Sequence, residues 1–259
     1  MPKFNLAPLS DDLNPVWPPA SPPKATRQQM NQSMENRLGP LKPLGQLMNT
    51  LASPDTKIGI VTGPINAVSK LTNAQVGSLS AAQIKALTTS QVSAFTTSQA
   101  GSLTGEQIAA FSTRQVAAID SQDFAELSSE AIAALSTAQT RALTNSQIGA
   151  FTTDKIGHLS ADGVGALTSA QIVALKTDTL SVMGAEQIKA IKPTVMGAMS
   201  TTQLAKLTTS QMAEVTVDQT KSLTQAQVGA LTSTQITQLG QQQVAALSAA
   251  QVGSIGLTV

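Results

Sequence analysis

From Leu71 to the last residue, the sequence repeats with a period of eight, and no insertion or deletion breaks the register. It holds 23 complete octads, and Ile255 opens a partial one. Position 1 is a large apolar residue in every octad, position 2 is Ser, Thr or Asp in 19, position 5 is Gln in 17 and position 6 is apolar in 21. The consensus is L-[ST]-x-x-Q-[IV]-x-A. Because so short a unit cannot bury a core alone, its copies must stack on one another.

Each octad carries the signal that starts a helix. A Ser or Thr followed three residues later by Gln is a capping box, in which each side chain bonds the backbone N–H of the other residue. The apolar residues at positions 1 and 6 are placed as the two halves of a hydrophobic staple. Representative predicted pairs are Thr88 with Gln91, Thr96 with Gln99, Thr144 with Gln147, and Thr168 with Gln171.

These signals predict an all-α solenoid with one very short helix, of about six residues, in each octad. A continuous helix fits poorly, since its apolar stripe would drift by roughly 80° per octad at 100° per residue. A β-solenoid is the alternative because Thr, Ile and Val favour strands, although apolar spacings of five and three do not alternate with period two. Small residues at positions 7 and 8 are expected to let neighbouring backbones approach closely.

The chain divides into three regions. Residues 1–26 contain seven prolines, a density that predicts a disordered tail. Residues 27–70 have helical patterning and are interpreted as an N-terminal cap region, and residues 71–259 form the solenoid. Within the tail, Trp17, Pro18 and Pro19 are candidate partner-docking residues, because a Pro-rich segment with one aromatic side chain suits a recognition groove. The alternative is a disordered tail with a chance Trp.

Composition argues against most chemistries. The chain has no Cys, one His (His158) and a formal net charge of +1, and it lacks a phosphate-binding Gly-rich motif and a Ser beside a base. We therefore expect no catalytic, cofactor or metal site. The octads hold nine Lys and Arg against eleven Asp and Glu, which argues against nucleic acid. The sequence has no run of about 18 apolar residues, so it predicts no membrane span.

Two interpretations stay open within the array. The repeated Gln residues either complete capping boxes or form a polar ladder for a partner or for water. The octads at 119–134 and 175–198 depart from the consensus, with Asp123 and Ala131 in place of Gln in the first segment and Lys176 and Lys192 in place of the cap in the second. The second segment is a candidate bend or groove, and neutral drift in a redundant array is the alternative.

The octad LTxxQV resembles the first helix of the repeats in TAL effectors, the bacterial DNA-binding proteins, but the second helix and the base-reading dipeptide of those repeats are missing. The fuller similarity, over residues 71–259, is to bacterial proteins with tandem LTTxQIxAL octads, which are of the secreted or effector type. This resemblance implies a non-catalytic scaffold that binds an unidentified protein partner, made in the bacterial cytoplasm and exported by a route independent of a signal peptide. A subunit that stacks end to end as a homo-oligomer is one alternative, and a nucleic-acid-binding repeat protein is another.

Overall fold

The computed structural model of the protein describes residues 65–256, with side chains described from Val68 onward. One 3-10 helix and 23 α-helices of four to six residues follow one another, and no strand occurs in this range. The predicted all-α solenoid is therefore confirmed, and the β-solenoid alternative is wrong. The tail, including Trp17, Pro18 and Pro19, and the cap region as far as residue 64 lie outside the described residues.

The helices, numbered in chain order after the 3-10 helix Ile65–Lys70, are α1 Asn73–Gly77, α2 Ala81–Ala86, α3 Thr89–Val92, α4 Thr97–Gly101, α5 Gly105–Ala110, α6 Thr113–Ala117, α7 Ser121–Glu126, α8 Ser129–Ala133, α9 Thr137–Ala142, α10 Asn145–Gly149, α11 Thr153–Ile156, α12 Ala161–Ala166, α13 Ser169–Ala174, α14 Thr177–Ser181, α15 Ala185–Ala190, α16 Pro193–Met196, α17 Thr201–Ala205, α18 Thr209–Glu214, α19 Val217–Ser222, α20 Gln225–Gly229, α21 Ser233–Ile236, α22 Gln241–Ala245 and α23 Ala249–Ser254. Each octad thus contributes one helix, which begins at position 3.

The link between two helices takes only one or two extended residues. The position-1 N–H closes the preceding helix by donating to the position-6 carbonyl three residues earlier, as in Leu87 N to Ile84 O at 3.2 Å. Leu87 (φ −63°, ψ 139°) and the cap Thr88 (φ −76°, ψ 159°) are extended. Helical geometry resumes at Thr89. The octad length is therefore one short helix plus the shortest connection that allows a new cap.

Three octads complete one turn of the superhelix. The helices that pack against each other are consistently three apart along the chain, for example α4 with α7, α9 with α12 and α12 with α15. One coil of the solenoid therefore contains three helices, one from each of three consecutive octads. Equivalent positions of successive coils stack on one another, and each coil contacts only its neighbours, the arrangement expected of a repeat solenoid.

The side chains at positions 1 and 6 point inward and form one core that runs from Val68 to Leu247. Position 6 holds Thr instead of an apolar residue at Thr140 and Thr220, and both side chains are fully buried. Each hydroxyl donates to the carbonyl four residues earlier, on Ser136 and Thr216, at 3.0 Å. The two hydroxyls are thereby satisfied inside their own helices, so the core tolerates them.

Position 7 sets how closely successive coils approach. A Cβ added to Gly197 would lie 2.6 Å from the carbonyl oxygen of Ser222, one coil further on, whereas a Cβ on Gly157 would meet nothing within 4 Å. Gly165 is also tight, at 3.1 Å from the Ala190 carbonyl. The expected close approach of backbones therefore occurs at particular junctions, where a Cβ would force a shift at Gly197 and would crowd the neighbouring carbonyl at Gly165.

Candidate functional site

The repeated Gln makes hydrogen bonds with both ends of its amide group. Gln147 Oε1 accepts from the backbone N–H of Thr144 at 2.9 Å, and Thr144 Oγ1 accepts from the Gln147 N–H at 3.2 Å. The other end of the amide, Nε2, donates to the carbonyl oxygens of Val116 and Ile119, both at 2.8 Å and in the preceding coil. One side chain thus caps its own helix and ties two coils together.

This arrangement recurs as a glutamine ladder, which we define as the Gln residues whose Nε2 donates to a carbonyl of the preceding coil, 28 to 31 residues earlier. Its members are Gln99, Gln107, Gln115, Gln139, Gln147, Gln171, Gln187, Gln203, Gln211, Gln219, Gln227, Gln235, Gln243 and Gln251. Their side chains are buried, with exposures of 1% to 8%. The ladder is internal, so its amides are committed to the fold.

The hydrogen bond from the Gln amide to the position-1 carbonyl gives a donor to a carbonyl that has none within the helices. The position-6 carbonyl, such as that of Val116, already accepts from the Ile119 N–H at 3.2 Å. The Ile119 carbonyl itself precedes a helix and, within the described residues, receives only the Gln147 amide. Since a buried carbonyl without a donor costs about 1–3 kcal/mol, each ladder Gln removes one such penalty.

The predicted capping residues lie at helix starts as follows. The cap hydroxyl accepts from the Gln N–H at 3.2 Å in Thr88–Gln91, and at 3.3 Å in Thr96–Gln99 and Thr168–Gln171. Each Gln Oε1 accepts in return from the cap N–H, at 2.8 to 2.9 Å. At Gly184 and Gly240 the cap has no side chain, so only the Gln half of the box exists.

Six octads lack the Gln, and the described structure fills the gap at two of them. Lys155 Nζ donates to the carbonyl of Ala125, and Thr179 Oγ1 donates to that of Phe151 at 3.3 Å. The other four carry Asp123, Ala131, Gly163 and Val195 at this position, and none of these side chains donates to the coil before it in the described structure. The ladder therefore has gaps, and these four lie between residues 123 and 195.

Asp123 is the one acidic residue at position 5 of the octads, the position of the ladder Gln. Its side chain is buried, and burial raises the pKa of its carboxyl above the usual range. A hydrogen bond with Thr97 of the preceding coil acts against this, and the charge of Asp120 adds to the rise. An ionised carboxylate cannot donate to the carbonyls of the preceding coil, so Asp123 does not replace the Gln in the ladder.

The two segments that depart from the consensus, residues 119–134 and 175–198, keep the helical register. Asp120 Oδ1 caps α7 by accepting from the Gln122 N–H at 2.9 Å. Lys176 and Lys192 make no side-chain cap bond, and α16 begins directly on Pro193, a position where Pro is tolerated. The core continues through both segments. In the first segment, the ring of Phe124 packs edge-to-face on that of Phe151 from the next coil, with centroids 5.4 Å apart.

The single histidine, His158, lies exposed on the surface near Glu130. The pKa of the Glu130 carboxyl is lowered by a hydrogen bond to its own backbone N–H, then by Ser128, and least by the charge of His158. In the part of the chain that the structure describes, no three His, Cys, Asp or Glu residues come together in a way that would hold a metal ion. None of the helices between residues 65 and 256 has the length and apolarity of a membrane span.

The outward surface consists mainly of positions 2, 3 and 4 of each octad, as in Thr144, Asn145 and Ser146, which are exposed. Because a coil is three octads long, these positions align along three faces, one for each octad of a coil. Among residues 65–256, one ion pair joins neighbouring coils. It links Lys189 to Glu214 at 2.8 Å and raises the pKa of Lys189.

Two stretches of the sequence, residues 68–105 and 116–153, match the ALTTAQ repeat family. The chain is a tandem-repeat protein. The matched stretches cover the first coils of the solenoid, and the same helices and ladder continue to Ser254 beyond them. No curated protein matches the sequence.

The cross-coil half of the ladder was not predicted. Capping boxes have a local signature, whereas the acceptors of Nε2 are backbone carbonyls, which have no sequence signature at all. The glycines at position 7, such as Gly149, Gly157 and Gly165, follow no three-octad spacing, so they did not reveal the length of a coil either.

Proposed function

We propose that the protein is a non-catalytic scaffold whose outer faces bind protein partners. The observation that carries this proposal is the separation of roles within the octad. Positions 1, 2, 5 and 6 make the core, the caps and the ladder, whereas positions 3 and 4 face solvent and contribute little to any of these. Residues at positions 3 and 4 can therefore vary for recognition of a partner without a change in the fold that supports them.

Three faces can be tested separately. In three variants of the full chain, positions 3 and 4 are replaced by Ala on the first, second or third octad of every coil, except at Gly105, where an added Cβ would lie 3.0 Å from the Glu130 carbonyl. Each variant should keep its helical circular dichroism signal, because the core, caps and ladder are intact. A partner cross-linked by the native chain should be lost in one face variant and retained in the other two. A partner retained by all three variants would contradict surface recognition.

The proposal includes export from a bacterial cell by a route independent of a signal peptide. Its support is the resemblance of residues 71–259 to octad proteins of the secreted or effector type. Fractionation of export-competent bacteria should find the protein outside the cell, and cells without the responsible system should retain it. Detection in the cytosol alone, with every export system intact, would contradict this part of the proposal.

A second candidate function is end-to-end assembly of solenoids, which one observation favours. Val244 and Val252 occupy position 6, which is buried in nearly every earlier octad, yet their side chains are 42% and 48% exposed. The same coil presents ladder acceptors, so a suitable partner would be a coil that supplies Gln donors, such as another copy of this chain. Sedimentation velocity should then show an association that grows with concentration and that V252E abolishes. Monomers at every concentration would exclude assembly.

A further inference from the structure

A groove of about 520 Å³ lies on the outer surface between two coils. It forms where the junction of α2 with α3 stacks on the junction of α5 with α6. Its lining includes Lys85 and Thr89 from one coil, and Ser112 and Arg114 from the next. Leu87, Ala110 and Phe111 also line it. The groove therefore joins two cations, two hydroxyl side chains and apolar side chains.

The two cations in this groove are not neutralised by the described part of the protein. Neither Lys85 nor Arg114 lies within 4.0 Å of a carboxylate oxygen among residues 65–256, whereas Lys189 and Lys221 have carboxylate partners there. Both groove cations are exposed side chains. Two like charges that line one recess raise its positive potential, and an anion that enters the recess lowers the energy of both.

The repeat itself shows that the fold does not require these cations. One coil further on, the equivalents of Lys85 and Arg114 are Ala109 and Ala138. Across the remaining described coils the same two positions carry small, polar or acidic residues, and nowhere else do they carry two cations. The core continues through those junctions, even where the ladder Gln is replaced by Gly163 or the cap is Gly184. The charge pair is thus a local addition to a junction that is complete without it.

We propose that this groove binds a small ligand in which an oxyanion, such as a phosphate or a carboxylate, is attached to an apolar body. The Arg114 guanidinium offers a planar pair of donors for two oxygens, and Lys85 adds a point charge from the opposite coil. Thr89 and Ser112 add hydroxyl groups to the lining, and the apolar body lies against its apolar residues. This binding site overlaps one recognition face of the scaffold proposal, since Thr89 and Arg114 occupy positions 3 and 4, but it is tested by small-ligand titration rather than by partner cross-linking.

Phenyl phosphate, inorganic phosphate and phenol are the probes, titrated into the ¹⁵N-labelled full chain and followed by NMR. Phenyl phosphate should give saturable shifts at the amides of Lys85, Thr89, Ser112 and Arg114. Inorganic phosphate should bind the same residues more weakly, and phenol should not bind them. Added salt should weaken the binding, because both contacts are exposed charges. Equal affinity for inorganic phosphate would overturn the apolar part of the proposal.

The variants K85A and R114A copy residues that the repeat already tolerates one coil on, so both should fold with an unchanged melting temperature. Each should weaken phenyl phosphate binding about tenfold, the loss expected for one charge-assisted contact. K221A removes a cation paired with Asp218 elsewhere and should leave binding unchanged. Shifts that fail to saturate below about 10 mM, or that survive the double variant, would overturn the site.

Discussion

Gln99 Nε2 lies 2.6 Å from the carbonyl oxygen of Leu71, 28 residues earlier in the chain. The same amide also reaches the carbonyl of Val68 at 2.9 Å, and its oxygen caps α4. A single side chain thereby links the start of one helix to the coil below it. Local helix formation and coil stacking are coupled through this contact, and the coupling can be measured.

The ladder contact should contribute more to stability than the cap alone. Q147A removes the cap acceptor and leaves the Ile119 carbonyl without its donor, and we expect it to lower the free energy of unfolding by about 3 kcal/mol. T144A removes only the cap hydroxyl and should cost about 1 kcal/mol. Urea unfolding of both variants provides the comparison. Equal losses would mean that the cross-coil bonds contribute nothing.

Asp123 should make stability depend on pH. Its folded pKa is raised, chiefly by burial, so the folded chain binds the proton more tightly than the unfolded chain does. This contribution is fully present below the unfolded pKa of an Asp and is lost as the pH rises through the higher folded pKa. Thermal melts of D123N, which stays neutral, should show a smaller loss between those two values than melts of the native chain. Parallel pH profiles would refute the assignment.

Two glycines offer a matched test of coil spacing. Gly197 (φ −62°, ψ −15°) and Gly157 (φ −62°, ψ −21°) share a right-handed backbone conformation that suits Ala. G157A should be neutral or stabilise by up to about 1 kcal/mol, through lower entropy of the unfolded chain. G197A places its Cβ against the Ser222 carbonyl and should destabilise by about 1–3 kcal/mol. Differential scanning calorimetry of both variants decides, and similar melting temperatures would contradict the close packing.

Restoring the consensus at position 155 should stabilise the chain. Lys155 donates one hydrogen bond to the coil before it, and its own cap, Thr152, makes no side-chain cap bond. K155Q supplies an amide that can complete the box with Thr152 and donate to the preceding coil, with an expected gain of about 1 kcal/mol. K221Q, on the exposed surface, is the control for removal of a charge. A gain in the control as large as in K155Q would exclude the ladder as the cause.

The sequence predicted the parts of this fold that depend on neighbours along the chain. Thr88 and Gln91 are three residues apart, and Leu87 and Val92 flank them, so the cap and the apolar contact could be inferred from spacing. The number of octads in a coil depends instead on how helices pack, and a period of eight is compatible with several answers. The groove at Lys85 and Arg114 was missed for the same reason, because those two residues are 29 positions apart in the chain.

Three octads to a coil also constrain how such an array can change in length. Loss or gain of one octad re-creates every ladder bond with an equivalent partner, so the fold survives. All octads beyond the change, however, rotate by a third of a turn, and each outer face then continues with the residues of a different face. Loss or gain of three octads together leaves the faces aligned. If related arrays differ in length by single octads, only the fold is under selection. If they differ by multiples of three octads, the residues of an outer face are under selection as well.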